Sequence, residues 1–240
     1  MRQIFVTTSF LSLMILSVSC NPKFYTPNTQ NVPLISQKGE TNLTLSGNGN
    51  QVEFQGAYGV SDQVAIKANG GLFIPPDLDN GNGGSGKFLE VGAGYFKPVS
   101  EKFVFDTYAI LGFGSFENHL PSTLAANPQT TGDISAGLLR IGIQPSFGYK
   151  SKYFSAAISS RIAHLSYNKI EGSLIYEGDN QVDYLENNAS SILIEPALTL
   201  RAGIEKLKFQ LQYGFSVNAS HSDFPQDKTY LTLGLNFNFY

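Results

Sequence analysis

The 240-residue sequence has one cysteine, Cys20, no tryptophan, two methionines and three histidines. A single thiol excludes an internal disulfide framework and a cysteine-based metal site. Charged residues make up only 15%, and acids outnumber bases by 19 to 16, so there is no basic surface for nucleic acid. Long apolar runs are scarce too: none reaches the ~20 residues of a membrane-spanning helix. No segment reads as a helix, and no glycine-rich turn links a strand to a helix as phosphate-binding loops require. These absences leave a β-barrel open, because alternating strands cross a membrane with near-neutral hydropathy.

What is present begins with a leader. Residues 1–19 hold Arg2, an apolar run from Ile4 to Leu16 and the small residues Ser17, Val18 and Ser19, the layout of a secretory signal peptide. A signal ending at a lone cysteine resembles a bacterial lipoprotein signal, here with Ser17 where an aliphatic residue is usual. That resemblance implies lipidation of Cys20 as the first mature residue; a plain cleaved signal with a free thiol, or an uncleaved anchor, are the alternatives. Without residues 1–19 the chain keeps 15 bases against 19 acids, a net charge of −4. Residues 20–39 carry Pro22, Pro27 and Pro33 and no sustained period, and read as a periplasmic tether.

Residues 40–240 form one barrel-sized domain. Period-two alternation places ten strands near 41–47, 51–60, 63–73, 87–97, 103–115, 134–149, 153–165, 190–202, 206–216 and 229–240. After the first hairpin at Asn48-Gly49-Asn50 the connections alternate short and long. An up-and-down barrel puts every second connection at the same rim, and outer-membrane barrels keep periplasmic turns short and extracellular loops long. The pattern predicts an all-β, antiparallel transmembrane barrel. Ten strands return Tyr240 to the side where the barrel began, so the N-terminus, the tether and the C-terminus are all expected in the periplasm.

The two faces differ sharply. In the ninth strand Leu207, Phe209, Leu211, Tyr213 and Phe215 alternate with Lys208, Gln210, Gln212, Gly214 and Ser216. Through the strand interiors the apolar parity is without charge, while the other holds Glu53, Lys67, Glu90, Asp106, Arg140, Arg161, Glu195, Arg201 and Lys208. The charged parity is also crowded with glycine, which suits a narrow lumen and would waste a solvated face. It is therefore expected inside, with lipid outside and Tyr58, Tyr95, Phe103, Tyr149, Tyr153 and Phe154 as an interfacial girdle. The nine inward charges, four acids and five bases, are expected to close the lumen by pairing. A narrow conduit or a small ligand site remain alternatives.

The final residues carry a family resemblance. Thr232-Leu233-Gly234-Leu235-Asn236-Phe237-Asn238-Phe239 looks like the C-terminal signal of outer-membrane barrels, with Tyr240 added after the usual aromatic end. The resemblance implies that Thr232, Gly234, Phe237 and Phe239 are read by the barrel-assembly machinery. Asn31-Val32-Pro33-Leu34 with Lys38-Gly39-Glu40 is similar to the opening of Bacteroidota outer-membrane β-barrel lipoproteins, small barrels of the OmpA/OmpX kind.

Candidate chemistry is sparse. His119, His164 and His221 fall near the extracellular rim, with Asp77, Asp79 and Asp223 in loops there. Omptin-like proteases use paired aspartates and an Asp-His pair at this rim, and lipid A-editing barrels use a histidine and a serine, for which His164 and Ser166 are the nearest match. The longest loop, 166–189, holds Glu171, Glu177, Asp179, Asp183 and Glu186 in no calcium-loop spacing. The expectation is a non-enzymatic outer-membrane barrel without metal or cofactor, embedded in outer-membrane lipid and structural or binding through its loops. The alternatives are a rim enzyme and a lipid-tethered, soluble, lipocalin-like barrel.

Overall fold

The computed structural model describes residues 22–74, 81–121 and 129–240. The signal peptide, Cys20, Asp77 and Asp79 lie outside them. Ten long strands make the wall: β1 (Thr41–Gly47), β2 (Gln51–Gly59), β3 (Val64–Phe73), β4 (Gly83–Pro98), β5 (Phe103–Leu120), β6 (Gly132–Lys150), β7 (Phe154–Gly172), β8 (Ser190–Gly203), β9 (Leu207–Phe215) and β10 (Thr229–Phe239). Each pairs antiparallel with its sequence neighbour. β10 returns to β1, with Thr41 opposite Phe239 and Gly47 opposite Leu233, so the sheet closes and no edge is left unpaired.

The alternation read from sequence is the inside–outside alternation of this wall. Outward side chains are bare apolar surface, with Phe209 73%, Leu233 62% and Ile158 62% exposed. A water-exposed barrel would hide these around an apolar core; here the waist of the lumen is polar, so the wall is built for lipid. That disposes of the lipocalin-like alternative. Lys87 and Lys97 are the two ends of an uncharged outward run on β4, where Leu89, Val91, Ala93 and Tyr95 intervene. At the short-turn rim the Phe103 ring stacks on Phe147 with centroids 5.5 Å apart and meets Tyr149 edge-on at 5.5 Å.

Strands β4 to β7 are 16 to 19 residues long, whereas β1 to β3 have 7 to 10. Nine to eleven residues suffice to cross a bilayer, so these four rise beyond it on the long-loop side. Their polarity inverts as they leave. Outward positions become Ser85, Lys87, Glu117, His119, Asp133 and Glu171, and inward ones become Leu120, Ile134, Ala136, Leu165 and Tyr167. Water rather than lipid faces the outer surface there, and the interior can become an ordinary apolar core.

The loop at 173–189 contains a helix that its sequence did not announce: α1 (Gln181–Asn187) follows a small hairpin of 175–176 and 179–180. Its seven residues are too few for a readable period. The Asn180 side chain caps it, accepting from the amides of Val182 and Asp183. Leu185 is buried beneath it.

The described part of residues 20–39 does not lie free as a tether: from Phe24 to Ile35 it threads the lumen as a strap. At its start Tyr25 bridges Gln226 in a loop, with the Phe24 amide donating to the Pro225 carbonyl at 2.9 Å and the Asp227 amide to the Tyr25 carbonyl at 3.0 Å; beyond Tyr25 no ladder joins it to the ten wall strands. Its N-terminal end lies under the long loops, where Phe24 packs on Phe116, Tyr184 and Phe224 with centroids 5.8 to 6.2 Å apart. Its other end lies at the short-turn rim, where the Lys150 ammonium, 5.4 Å above the Tyr240 ring, donates to the Leu34 carbonyl at 3.0 Å. Pro22 and Tyr240 are therefore at opposite rims, where an even strand count and a free tether would put them on one side. Twelve extended residues reach about 40 Å, enough for a hydrocarbon layer of about 30 Å.

Candidate functional site

The site is the strap-filled lumen. The strap has three parts. Phe24 and Tyr25 join an apolar cap of Leu120, Ile134, Leu165, Tyr167, Leu174, Leu185, Leu193 and Phe224. Asn28, Thr29, Gln30 and Asn31 are polar and buried at the waist. Val32, Leu34 and Ile35 re-enter apolar surroundings, Ile35 with Phe96, Tyr108 and Ile110, and Leu34 with Val104 and Ala157. Leu34 adopts a left-handed φ of 50° as the chain turns toward the rim. Pro27 and Pro33 suit a segment with no ladder, since they bring no amide hydrogen that would need a partner.

At the waist the wall supplies the partners that a β-ladder would otherwise provide. Gln212 accepts from the Gln30 amide at 2.6 Å and donates to the Gln30 carbonyl at 2.9 Å. Gln55 donates to the Thr29 carbonyl, Gln144 and Lys67 to that of Asn31, and Arg201 to that of Val32, over 2.7 to 3.2 Å. The Glu53 carboxylate accepts from both the amide and the hydroxyl of Thr29 at 2.9 Å.

All nine inward charges lie buried in the lumen. Ion pairs alone do not account for them. Arg140 meets Glu90 and Arg161 meets Glu195, each at 2.5 Å, and Arg161 lies 3.9 Å from Glu90. The two arginines converge on the Asn28 side-chain oxygen at 2.7 and 2.9 Å, and the Tyr25 hydroxyl bridges Arg140 and Glu195. Asp106 accepts from Ser146, Lys208 donates to the Glu205 carbonyl, and Lys67 lies 4.7 Å above the Tyr108 ring. Glu53, Lys67 and Arg201 thus spend their charge on the strap. Buried charges need such partners, since an unpaired one costs several kcal/mol.

The lumen glycines make room for the strap as well as for long side chains. A Cβ on Gly148 would stand 2.8 Å from Leu34 Cδ2 and 2.8 Å from Ala157 Cβ. One on Gly59 would stand 2.5 Å from the Gln37 carbonyl oxygen and 3.0 Å from Ile35. Of the C-terminal signal, Thr232 is buried with its hydroxyl 3.1 Å from that of Thr29, Gly234 faces Ser46 across the β1–β10 seam, and Phe237 and Phe239 point outward opposite Leu43 and Thr41.

The rim histidines do not converge. His119 contacts Asp133 on the outward surface, with both side chains about half exposed. His164 faces outward between Ile141 and Ile192, in register with neither His119 nor His221. His221 donates its amide to the Asn218 side chain within a loop turn. Among the described residues no group of three or more His, Cys, Asp or Glu side chains is arranged to hold a metal. Outside the membrane span, the hydrogen bond and charge of Glu205 raise the pKa of the exposed Lys152, and burial followed by Asp223 raises that of Tyr184.

The wall and its lumen define the architecture. The chain is an outer-membrane-type β-barrel. No protein-family model matches the sequence, and no curated protein is significantly similar to it. Among solved structures it resembles the KdgM porin at 8% identity and a TM-score of 0.38, over 84% of this chain and 99% of that one. LpxR from Salmonella typhimurium gives 8% and 0.36 over 84% and 100%. A major outer membrane protein from Thermus thermophilus gives 12% and 0.41 over 83% and 99%. Likeness at this level carries no information on what the chain binds or does.

Proposed function

We propose that this protein is a non-enzymatic barrel of a bacterial outer membrane, closed by its own N-terminal strap, that carries its N-terminus to the cell surface and presents a polar wall there. The observation that supports this reading is the strap's direction, from Phe24 beneath the long loops to Ile35 beside Lys150 and Tyr240. Long loops belong outside the cell in such barrels. A lipidated Cys20, two residues before Pro22, then anchors in the outer leaflet, while Tyr240 stays periplasmic. Binding falls to the outward rim of β4 to β7 with Lys87, Glu117, His119 and Asp133. In this reading Thr232, Gly234, Phe237 and Phe239 are the signal for the barrel-assembly machinery.

The test is surface labelling of intact cells bearing one epitope between residues 21 and 22 and, in a second strain, one after Tyr240. The first tag should be reached by antibody on intact cells and the second only after permeabilisation. The reverse pattern, or both tags hidden, would refute the topology.

A further inference from the structure

We propose that the lumen is a binding channel for an extended polypeptide, and that the strap is its resident and exchangeable ligand. The inference rests on reading the strap as the closure of the barrel, but not on which rim faces the outside of the cell.

Three features carry it. Apart from the single bridge of Tyr25 to Gln226 in a loop, the strap shares no ladder with the barrel, and it joins the wall covalently through the exposed linker 37–39, in which Gly39 has φ 83°. Its backbone is read by side chains: Gln212 grips both backbone polar groups of Gln30 as a neighbouring strand would, and Gln55, Gln144 and Arg201 donate to the carbonyls of Thr29, Asn31 and Val32. A lumen meant only to be filled would be satisfied by side chains pairing with each other across it. Here glutamine, lysine and arginine side chains end on a passing main chain, the chemistry by which an extended peptide is held whatever its side chains. Specific readout is added at three points. The Asn28 side-chain oxygen sits between Arg140 and Arg161, the Gln30 side chain donates to the Glu195 carbonyl at 2.6 Å and accepts from Ser159 at 2.8 Å, and the Asn31 side chain donates through Nδ2 to Asn69 at 2.8 Å. The strap from Phe24 to Ile35 bears no charge, so it can enter and leave the wall's charge network without burying a new ion. The ligand class is thus an extended, uncharged segment with amide side chains at its centre and apolar residues at both ends.

To test this, a site-specific protease sequence replaces the linker 37–39 in the full chain, and the folded barrel is nicked in detergent. A fluorescent peptide of residues 22–36 is then offered in excess. The expected result is capture of the peptide with release of the resident strap, while the barrel keeps the gel mobility of its folded form. A peptide carrying Asn28→Ala should bind about tenfold more weakly or worse, since two buried guanidinium groups each lose an acceptor. Three results would overturn the proposal. The nicked barrel keeps its strap and takes no peptide; the barrel unfolds as the strap leaves, which makes the strap part of the core; or a scrambled peptide of the same composition is captured equally well.

Discussion

Gln212→Leu isolates the grip of the wall on the strap. The glutamine makes four hydrogen bonds at the waist: it accepts from the Gln30 amide at 2.6 Å and the Tyr230 hydroxyl at 3.0 Å, and donates to the Gln30 carbonyl at 2.9 Å and the Thr199 hydroxyl at 2.8 Å. Leucine approximates its size and satisfies none of these. A buried polar group left without a partner costs about 1–3 kcal/mol. The Gln30 amide and carbonyl and the Tyr230 hydroxyl are all orphaned, so the loss should be about 3–9 kcal/mol. Two of the three orphans are on the strap. If roughly two thirds of the cost falls on strap attachment, about 2–6 kcal/mol, its release becomes about 30- to 20,000-fold more frequent. The absence of tryptophan removes the usual fluorescence probe, so unfolding in urea is followed by far-UV circular dichroism and by gel mobility. Strap release is followed by thiol labelling of Val32→Cys in a Cys20→Ala background. The double variant with Gln212→Leu should be labelled faster by that factor before the barrel unfolds. Equal labelling rates would show that apolar anchoring at the two ends holds the strap and that the waist contributes little.

Two further outcomes follow from the wall and its charges. Ile143→Arg places a charge on the lipid face and should destabilise the barrel by about 2–4 kcal/mol, while Ser135→Arg, beyond the polarity inversion on the same strand, should shift the urea midpoint little; equal effects would refute the assigned membrane boundary. Glu195→Gln strands Arg161 in the lumen and should cost about 3–5 kcal/mol, largely recovered when Arg161→Met accompanies it, as urea unfolding of the single and double variants would report.

Most of the wall was legible because it is written in a local code. The period of two assigns each side chain a face, and strand starts such as Thr41, Phe103, Ser190 and Thr229 coincide with the structure. The extensions of β4 to β7 were missed for a related reason. Above the membrane the parity persists but its meaning reverses: Phe116 and Leu120 face inward where the same parity carries charge below, so the alternation stops matching a lipid-facing strand. The helix at 181–187 was hidden by its shortness, although Asn180 with Asp183 is a cap and first-turn signal.

The strap was the larger miss. Its order of aromatic, amide-rich and aliphatic residues, twelve long, matches a crossing, yet proline and the lack of a period made it read as a linker. The sequence by itself determined which residues line the lumen and which meet lipid, because neighbours along a strand settle that question. Only the tertiary structure decided what fills the lumen and at which rim Pro22 and Phe24 lie. Those depend on Tyr25 meeting Glu195 and Gln30 meeting Gln212, pairs separated by 170 and 182 residues. No local pattern encodes such complementarity; it exists only once ten strands have closed around the segment that satisfies them.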